Sequence, residues 1–284
     1  MAWAKLAGHL ENVRFEQSLF ALPFAYLGMV LASRGLPTWH QFLWITAAMV
    51  GARTFGMSMN RLADLDLDRR HSTARNRPLP SGRLTVGEVI AAAAAGVLLT
   101  FLAASQLSPL CLALAPVAIA VIAAYSYIKR VSWLTHLALG ICLGGAPVGG
   151  WIAVTGELGW EPVLLGLLVV TWATGFDILY ACGDAEEDRP LGVRTFPVRF
   201  GVARALAASA VMHLLTVTLL AAVGLRFGLT WPYWLGVLLT AALLAYEHTV
   251  VTPVDLSRLN LAFFRINGLV SLLVFAAAFA GLYL

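Results

Sequence analysis

Hydrophobic and polar positions in this chain fall in long blocks. Nine stretches of about 20 mostly apolar residues lie near 16–35, 40–60, 86–106, 109–128, 133–155, 162–183, 203–224, 230–250 and 261–283, with short polar breaks between them. Some 20 apolar residues, rising about 1.5 Å each as a helix, cross the hydrocarbon core of a bilayer. The pattern therefore predicts an all-α membrane protein with about nine transmembrane helices, forming one domain over residues 1–284. The first block leads directly into the bundle and lacks a small-residue cleavage site, so no cleaved signal peptide is expected.

Composition strengthens this reading. The chain is 60% hydrophobic and 12% charged, with a mean hydropathy of +0.81, whereas about a quarter of a soluble domain's residues are charged. The 19 Lys and Arg are unevenly spread. With the N-terminus inside, 15 of them, Arg61 included, fall at cytoplasmic helix ends. Arg34 and Arg226 fall outside, and Arg53 and Arg265 lie within spans. This asymmetry predicts a cytoplasmic N-terminus and an outer C-terminus, in a multi-pass protein of the cytoplasmic (inner) membrane. Anchoring accounts for the net charge of +4. With no soluble basic domain, nucleic acid is not an expected partner, and nothing calls for an obligate protein partner. Cys111, Cys142 and Cys182 are isolated within spans and form no paired motif, so they read as small core residues.

Two polar breaks, 61–85 and 184–202, are longer and richer in charge than the rest. Each follows a span that ends in acids. The first cluster is Asn60-Arg61-x-x-Asp64-x-x-x-Asp68, and the second is Asp177-x-x-Tyr180-x-x-x-Asp184-x-x-x-Asp188. Spacings of three and four put successive members on one helix face. Such stripes are costly near lipid unless they hold cations. Two of them suggest metal-bound arms gripping a strongly anionic group. A diphosphate fits, because Mg²⁺ prefers carboxylate and phosphate oxygens together. Asp66, Glu186 and Glu187 lie off the stripes and read as solvated acids. Arg53 returns to the face of Asn60 about 10 Å deeper at 1.5 Å per residue, where a buried cation asks for an anionic partner. Arg75, Arg77, Lys129 and Arg130 bring opposite charge to the same end and suit phosphate oxygens, although each would also serve as a topology anchor. Tyr180 sits on the acid stripe and is expected to face the cavity. The six histidines show no ligand spacing; His71 reads as a solvated loop residue, and His213 and His248 as packed or interfacial.

Three segments taken together resemble a known family. They are Asn60–Asp68 followed by Arg75–Arg83, the Tyr125-Ser126-Tyr127-Ile128-Lys129-Arg130 run, and Asp177–Asp188. In this order they are similar to the motifs of the UbiA superfamily of intramembrane prenyltransferases, and the likeness extends over nearly the whole chain. The resemblance implies a UbiA-type bundle of nine spans and a Mg²⁺-dependent transfer of an isoprenoid chain from a polyprenyl diphosphate to an aromatic acceptor. Carried over residue by residue, it implies that Asn60, Asp64, Asp68, Asp184 and Asp188 hold the metal ions and diphosphate. Arg77 and Lys129 would contact the diphosphate, Arg53 would lie near the acceptor's carboxylate, and Tyr125 and Asp177 would line the reaction centre.

The family likeness leaves two acceptors open: 4-hydroxybenzoate, as in ubiquinone synthesis, and 1,4-dihydroxy-6-naphthoate, as in futalosine-route menaquinone synthesis. The first span opens Arg14-Phe15-Glu16-Gln17-Ser18-Leu19-Phe20-Ala21-Leu22-Pro23 and lacks the Asp-Lys-Pro-like start expected of hydroxybenzoate members, so it looks more like the naphthoate subgroup. A haem- or chlorophyll-type prenyltransferase fits the Arg53 position less well. A cation-coupled transporter would also bury carboxylates, but near the midplane at broken helices, and here the acids gather at one membrane face. The paired-acid motif of CDP-alcohol phosphotransferases is absent from the sequence.

Overall fold

A computed structural model describes residues 2–14, 18–33 and 35–284. Phe15, Glu16 and Gln17 of the first-span segment, and the outer Arg34, lie outside the described residues. The described residues form twelve α-helices: α1 (Ala2–Asn12), α2 (Ser18–Ser33), α3 (Trp39–Arg70), α4 (Val86–Leu107), α5 (Pro109–Val131), α6 (Thr135–Thr155), α7 (Trp160–Ala181), α8 (Ala185–Asp188), α9 (Phe196–Phe200), α10 (Val202–Phe227), α11 (Trp231–Val250) and α12 (Asn267–Tyr283). Local signals in the sequence set several boundaries. Thr38 with Gln41, and Thr85 with Glu88, form capping boxes that start α3 and α4. Ser108 caps α5 ahead of Pro109. Gly156 and Gly228 end α6 and α10 at φ values of 71° and 63°, where a Cβ would be strained.

Each expected span overlaps a helix, and among the described residues six helices are long and apolar enough to cross a bilayer: α4, α5, α6, α7, α10 and the last helix counted over Phe264–Tyr283. The other three fall short for separate reasons. α2 has 16 residues. α3 and α11 are long enough but are diluted by polar and aromatic residues. The 32 residues of α3 would reach about 48 Å at 1.5 Å per residue, longer than a hydrocarbon core of about 30 Å is thick.

Small residues let the helices touch. A Cβ on Gly28 would lie 2.1 Å from the Pro147 carbonyl oxygen, and one on Gly150 2.1 Å from that of Ala25, so α2 and α6 meet backbone to backbone. This is the packing available where the solvent is itself apolar. The core centres on Trp172, which is fully buried, with its ring centroid 4.8 Å from Phe176 and 4.9 Å from Phe24. Its indole N–H needs an acceptor and donates to Asn267 Oδ1 at 2.9 Å. The Asn267 amide in turn donates to Glu247 Oε1 at 2.8 Å and to the Ala262 carbonyl at 3.0 Å. That network pins a π-helical turn, Leu261–Ile266, ahead of α12. His213 is buried and pairs with His248 at 3.0 Å.

α1 lies across the loop between α3 and α4, held by Lys5 to Glu88 at 2.7 Å and by Arg83 to both carboxylate oxygens of Glu11 at 2.6 and 2.7 Å. Ion pairs and hydrogen bonds between α3, α5, α7 and the loops that follow them gather the chemistry-bearing residues at one end of the bundle.

Candidate active site

The first acidic segment occupies the last turns of α3. Ser58, Arg61, Asp64 and Asp68 are all buried, and their spacing of three, three and four keeps them on one face. Each acid has a cation beside it. Lys129, near the end of α5, donates to Asp64 Oδ2. Arg77 donates to Asp68 Oδ1 at 2.8 Å. The 3₁₀ turn Ala74–Asn76 brings Arg77 back toward α3. Arg61 stands 3.9 Å from Asp68 Oδ2. Asn60 is half-buried one turn before Asp64. Asp66 points outward and pairs with Arg69 at 4.0 Å, as its place off the stripe suggested. Arg130 is exposed and donates to the Ala63 carbonyl, tying α5 to the end of α3.

The second acidic segment does not continue as one helix. α7 ends at Ala181, Cys182–Asp184 form a tight turn, and helix resumes as α8. The stripe expected from Asp177 through Asp188 is therefore interrupted. The turn keeps its last two acids together: the Asp188 N–H donates to the Asp184 carbonyl at 2.8 Å. Burial, and next the neighbouring Asp184 carboxylate, push the Asp188 carboxyl up to about 6. Lys129, His71 and Asp64 also act on Asp188, so the two arms face each other.

A latch joins them. Ser72 donates from its hydroxyl to Glu187 Oε1 at 2.5 Å and from its backbone to Oε2 at 3.3 Å, and His71 Nε2 lies 3.1 Å from Glu187 Oε2. His71, expected to be solvated, is largely covered, with a side chain 13% exposed. Glu187 is exposed but not idle. The covering comes from the meeting of the loop after α3 with α8, more than a hundred residues apart in sequence.

A deeper layer lies behind the arms. Tyr125, one turn before Lys129 on α5, is within electrostatic reach of Asp177, Cys142, Asp64 and Arg61. Asp177 Oδ2 accepts a hydrogen bond from His136 Nδ1 at 2.6 Å. Arg53 donates to the carbonyls of Val13 and Arg14 at 3.2 and 3.0 Å, and so fastens the residues just after α1 to α3. Tyr180 stacks edge-on against Phe264 at 6.5 Å beside the apolar core.

The donor set suits a hard divalent cation. Among the described residues no three acidic, His or Cys side chains converge on one point, because Lys and Arg lie between the acids. Yet Asp64 Oδ1 and Asp68 Oδ2 are buried without a hydrogen-bond partner, an arrangement that costs free energy unless a cation or donor reaches them. Asp184 and Asp188 add carboxylates from the facing arm, and oxygen ligands of this kind are what Mg²⁺ takes. Cationic Lys129, Arg77 and Arg61 among those acids suit an anion bridging the two arms.

Two residues of this site carried no functional expectation. Arg61 was counted among the topology anchors, yet it is 4% exposed and its Nε has no hydrogen-bond partner. Its spacing from Asp64 was the available signal. His136 is a single histidine at the start of an apolar helix, and no spacing pointed to it.

Comparison with known proteins agrees with this geometry. The profile of the UbiA prenyltransferase family matches residues 21–269. A 4-hydroxybenzoate octaprenyltransferase of Cupriavidus necator is 32% identical over 249 residues, covering 87% of this chain and 86% of that one. The apo structure of a UbiA homologue from Aeropyrum pernix K1 aligns with a TM-score of 0.84 at 33% identity, over 92% of this chain and 96% of the other. A UbiA homologue from Archaeoglobus fulgidus, bound to DMAPP and Mg²⁺, aligns with a TM-score of 0.77 at 22% identity, over 96% and 98%. At that identity the likeness is one of fold.

Proposed function

This chain belongs to the UbiA prenyltransferase family, and within that family we propose that it transfers a polyprenyl chain from a polyprenyl diphosphate to an aromatic hydroxy-acid of the 4-hydroxybenzoate type, with Mg²⁺ as cofactor. The observation that carries this reading is the pair of facing acidic arms with Lys129, Arg77 and Arg61 set between their carboxylates. The name and 32% identity of the Cupriavidus relative support the acceptor class.

In this reading Asn60, Asp64, Asp68, Asp184 and Asp188 hold Mg²⁺, which when bound neutralises the diphosphate as it departs. Lys129 and Arg77 donate to the diphosphate oxygens, and Arg130 adds positive charge at the rim. As the C1–O bond of the prenyl diphosphate lengthens, negative charge grows on the leaving oxygen, and these donors stabilise it more than the ground state. The allylic carbon becomes cation-like, a ring carbon of the acceptor bonds to it, and the ring proton passes to a base. Diphosphate and a proton leave; the prenylated acid remains. Tyr125 and Asp177 line this centre, with Asp177 orienting the acceptor hydroxyl or countering the cation, and Tyr180 bounding the cavity on the side of Phe264. Arg53 recognises the acceptor carboxylate. Burial in a water-poor bundle keeps water from the allylic cation. The prenyl tail enters from the bilayer.

The same reading takes the protein as one domain over residues 1–284, crossing the cytoplasmic membrane nine times with its N-terminus and active site on the cytoplasmic side, on the strength of the Lys/Arg asymmetry. The first-span sequence around Arg14–Pro23 favours a second acceptor, 1,4-dihydroxy-6-naphthoate. Membranes containing the protein, given Mg²⁺, a polyprenyl diphosphate and both acids in competition, test the reaction and its acceptor by mass spectrometry. A prenylated benzoate supports the first reading and a prenylated naphthoate the second. The absence of both products sets both aromatic acids aside as acceptors.

A further inference from the structure

His136 and Asp177 form a hydrogen-bonded pair behind the acidic arms, and the pair reaches a third group. His136 is the second residue of α6, its side chain 4% exposed, and Nδ1 lies 2.6 Å from Asp177 Oδ2 on α7. On the other side of the ring, Nε2 receives the backbone N–H of Phe196 at 3.2 Å. Phe196 is the first residue of α9, a short helix whose N-cap, Thr195, makes no side-chain capping bond. The imidazole takes up one of the N–H groups that such a helix start leaves over.

These contacts fix the tautomer. A backbone N–H can only donate, so Nε2 must present its lone pair. The ring proton therefore sits on Nδ1 and is donated to Asp177, whose Oδ2 must be an acceptor. Without that donor, the Asp177 carboxylate could turn about its last torsion, which is broad and roughly two-fold. With it, Oδ2 is held against α6 and the carboxylate is fixed within electrostatic reach of Tyr125. Phe196 follows the second acidic segment by eight residues, so one ring ties the orientation of Asp177 to the loop that carries Asp184 and Asp188.

We infer that His136 is a positioning residue of the transfer reaction: its Nδ1–H fixes the Asp177 carboxylate against the aromatic acceptor, while the Phe196 amide holds the imidazole in the tautomer that can do so. The inference rests on the proposed reaction. It adds a specific requirement for a donor at Nδ1 that a space-filling residue would not meet. Misplacing a reacting group by about 1 Å costs on the order of a hundredfold in rate, and loss of this bond should act on kcat and on acceptor KM, not on prenyl diphosphate.

The test uses the full chain in nanodiscs with Mg²⁺ and a polyprenyl diphosphate, in wild-type, His136→Asn, His136→Gln, His136→Ala, Asp177→Asn and His136→Ala/Asp177→Asn forms. Asn places an N–H near the position of Nδ1; Gln places its amide near Nε2. The expected result is that His136→Asn keeps kcat within about tenfold of wild type while His136→Gln and His136→Ala lose on the order of a hundredfold. The double variant should be no slower than Asp177→Asn alone, because the two side chains act as a unit. The KM for prenyl diphosphate should not move. Equal activity of His136→Gln and wild type, or effects that multiply in the double variant, overturns the inference. Thermal unfolding of the same set reads the bond without any acceptor: coupling between positions 136 and 177 is expected, and its absence also overturns the inference. Wild-type protein that prenylates neither aromatic acid overturns the proposed reaction instead, whatever the unfolding cycle reports.

Discussion

Replacing Lys129 by Met tests the electrostatics of the first acidic arm most directly. The Asp64 carboxylate is 2% exposed, against 26% for Lys129. Its Oδ1 is buried without a hydrogen-bond partner, so the Lys129 ammonium is the main compensation for a charge removed from water. Two charges about 4 Å apart attract by about 4 kcal/mol at an effective dielectric constant near 20. Deleting one partner of a buried pair costs about 3–5 kcal/mol, because the other is left uncompensated. The partial exposure of Lys129 points to the lower end, so Lys129→Met should destabilise the protein by about 3 kcal/mol in chelator. Adding Asp64→Asn should recover most of that loss, since the stranded charge is gone. Mg²⁺ should recover part of it in the single variant alone, up to about 2.7 kcal/mol at a hundredfold excess over its Kd. The assay is thermal unfolding in nanodiscs, with EDTA or Mg²⁺. If Lys129→Met melts with wild type in EDTA, or if Asp64→Asn fails to rescue it, Asp64 is not the buried anion described above. Transfer activity should stay lost in every one of these variants, because the cation that meets the diphosphate is missing.

Asp64→Asn and Asp184→Asn should each lower transfer by at least about a hundredfold while the protein still inserts and folds, since each removes a carboxylate proposed to hold the cation that offsets the leaving group's charge; retained activity in either purified variant would falsify the two-arm reading. Arg53→Ala should raise the acceptor KM and leave that of prenyl diphosphate alone, and steady-state kinetics in both substrates decides it. The latch between the arms should depend on pH in a defined direction. Hydrogen bonds from Ser72 hold the Glu187 carboxyl below its ordinary value of 4.5. The latch is therefore fully made above about 4.5 and is lost as pH falls through the depressed value. Hydrogen exchange across residues 71–76 should speed up below that point, and Glu187→Gln should flatten the pH dependence. Asn267→Leu should destabilise the bundle by about 2–4 kcal/mol, because it strands both the Trp172 N–H and the Glu247 carboxyl; an unfolding temperature equal to wild type would remove that network from the list of stabilising contacts.

What could be read from the chain and what could not divides along sequence separation. Helix positions were legible because a bilayer imposes a length and an apolar content on every crossing, and capping residues such as Thr85 with Glu88 mark the ends. The first acidic arm was legible because Asn60, Asp64 and Asp68 stand on one uninterrupted helix, where spacing alone fixes the face. Arg61 could have been included on that ground; counting basic residues as topology anchors concealed it, since the charge rule assigns a residue to a side of the membrane and is silent about its burial. The second arm misled because a repeat of four passes unchanged through the Cys182–Asp184 turn: three residues of tight turn and a resumed helix keep the spacing while breaking the stripe. His71 with Glu187, His136 with Asp177, and Glu247 with Asn267 were out of reach for a different reason. Each pair is made by the packing of segments 20 to 116 residues apart, and one-dimensional periodicity holds no information about which helix lies beside which. Isolated polar residues in apolar stretches, such as His136 and Glu247, nonetheless carry a usable physical signal. A buried imidazole or carboxyl in a membrane bundle must find a partner, so its presence predicts a contact even where the sequence does not name the other half. Read that way, His136 asks for two partners, one for each ring nitrogen, and the fold supplies them from α7 and from the loop behind the second arm.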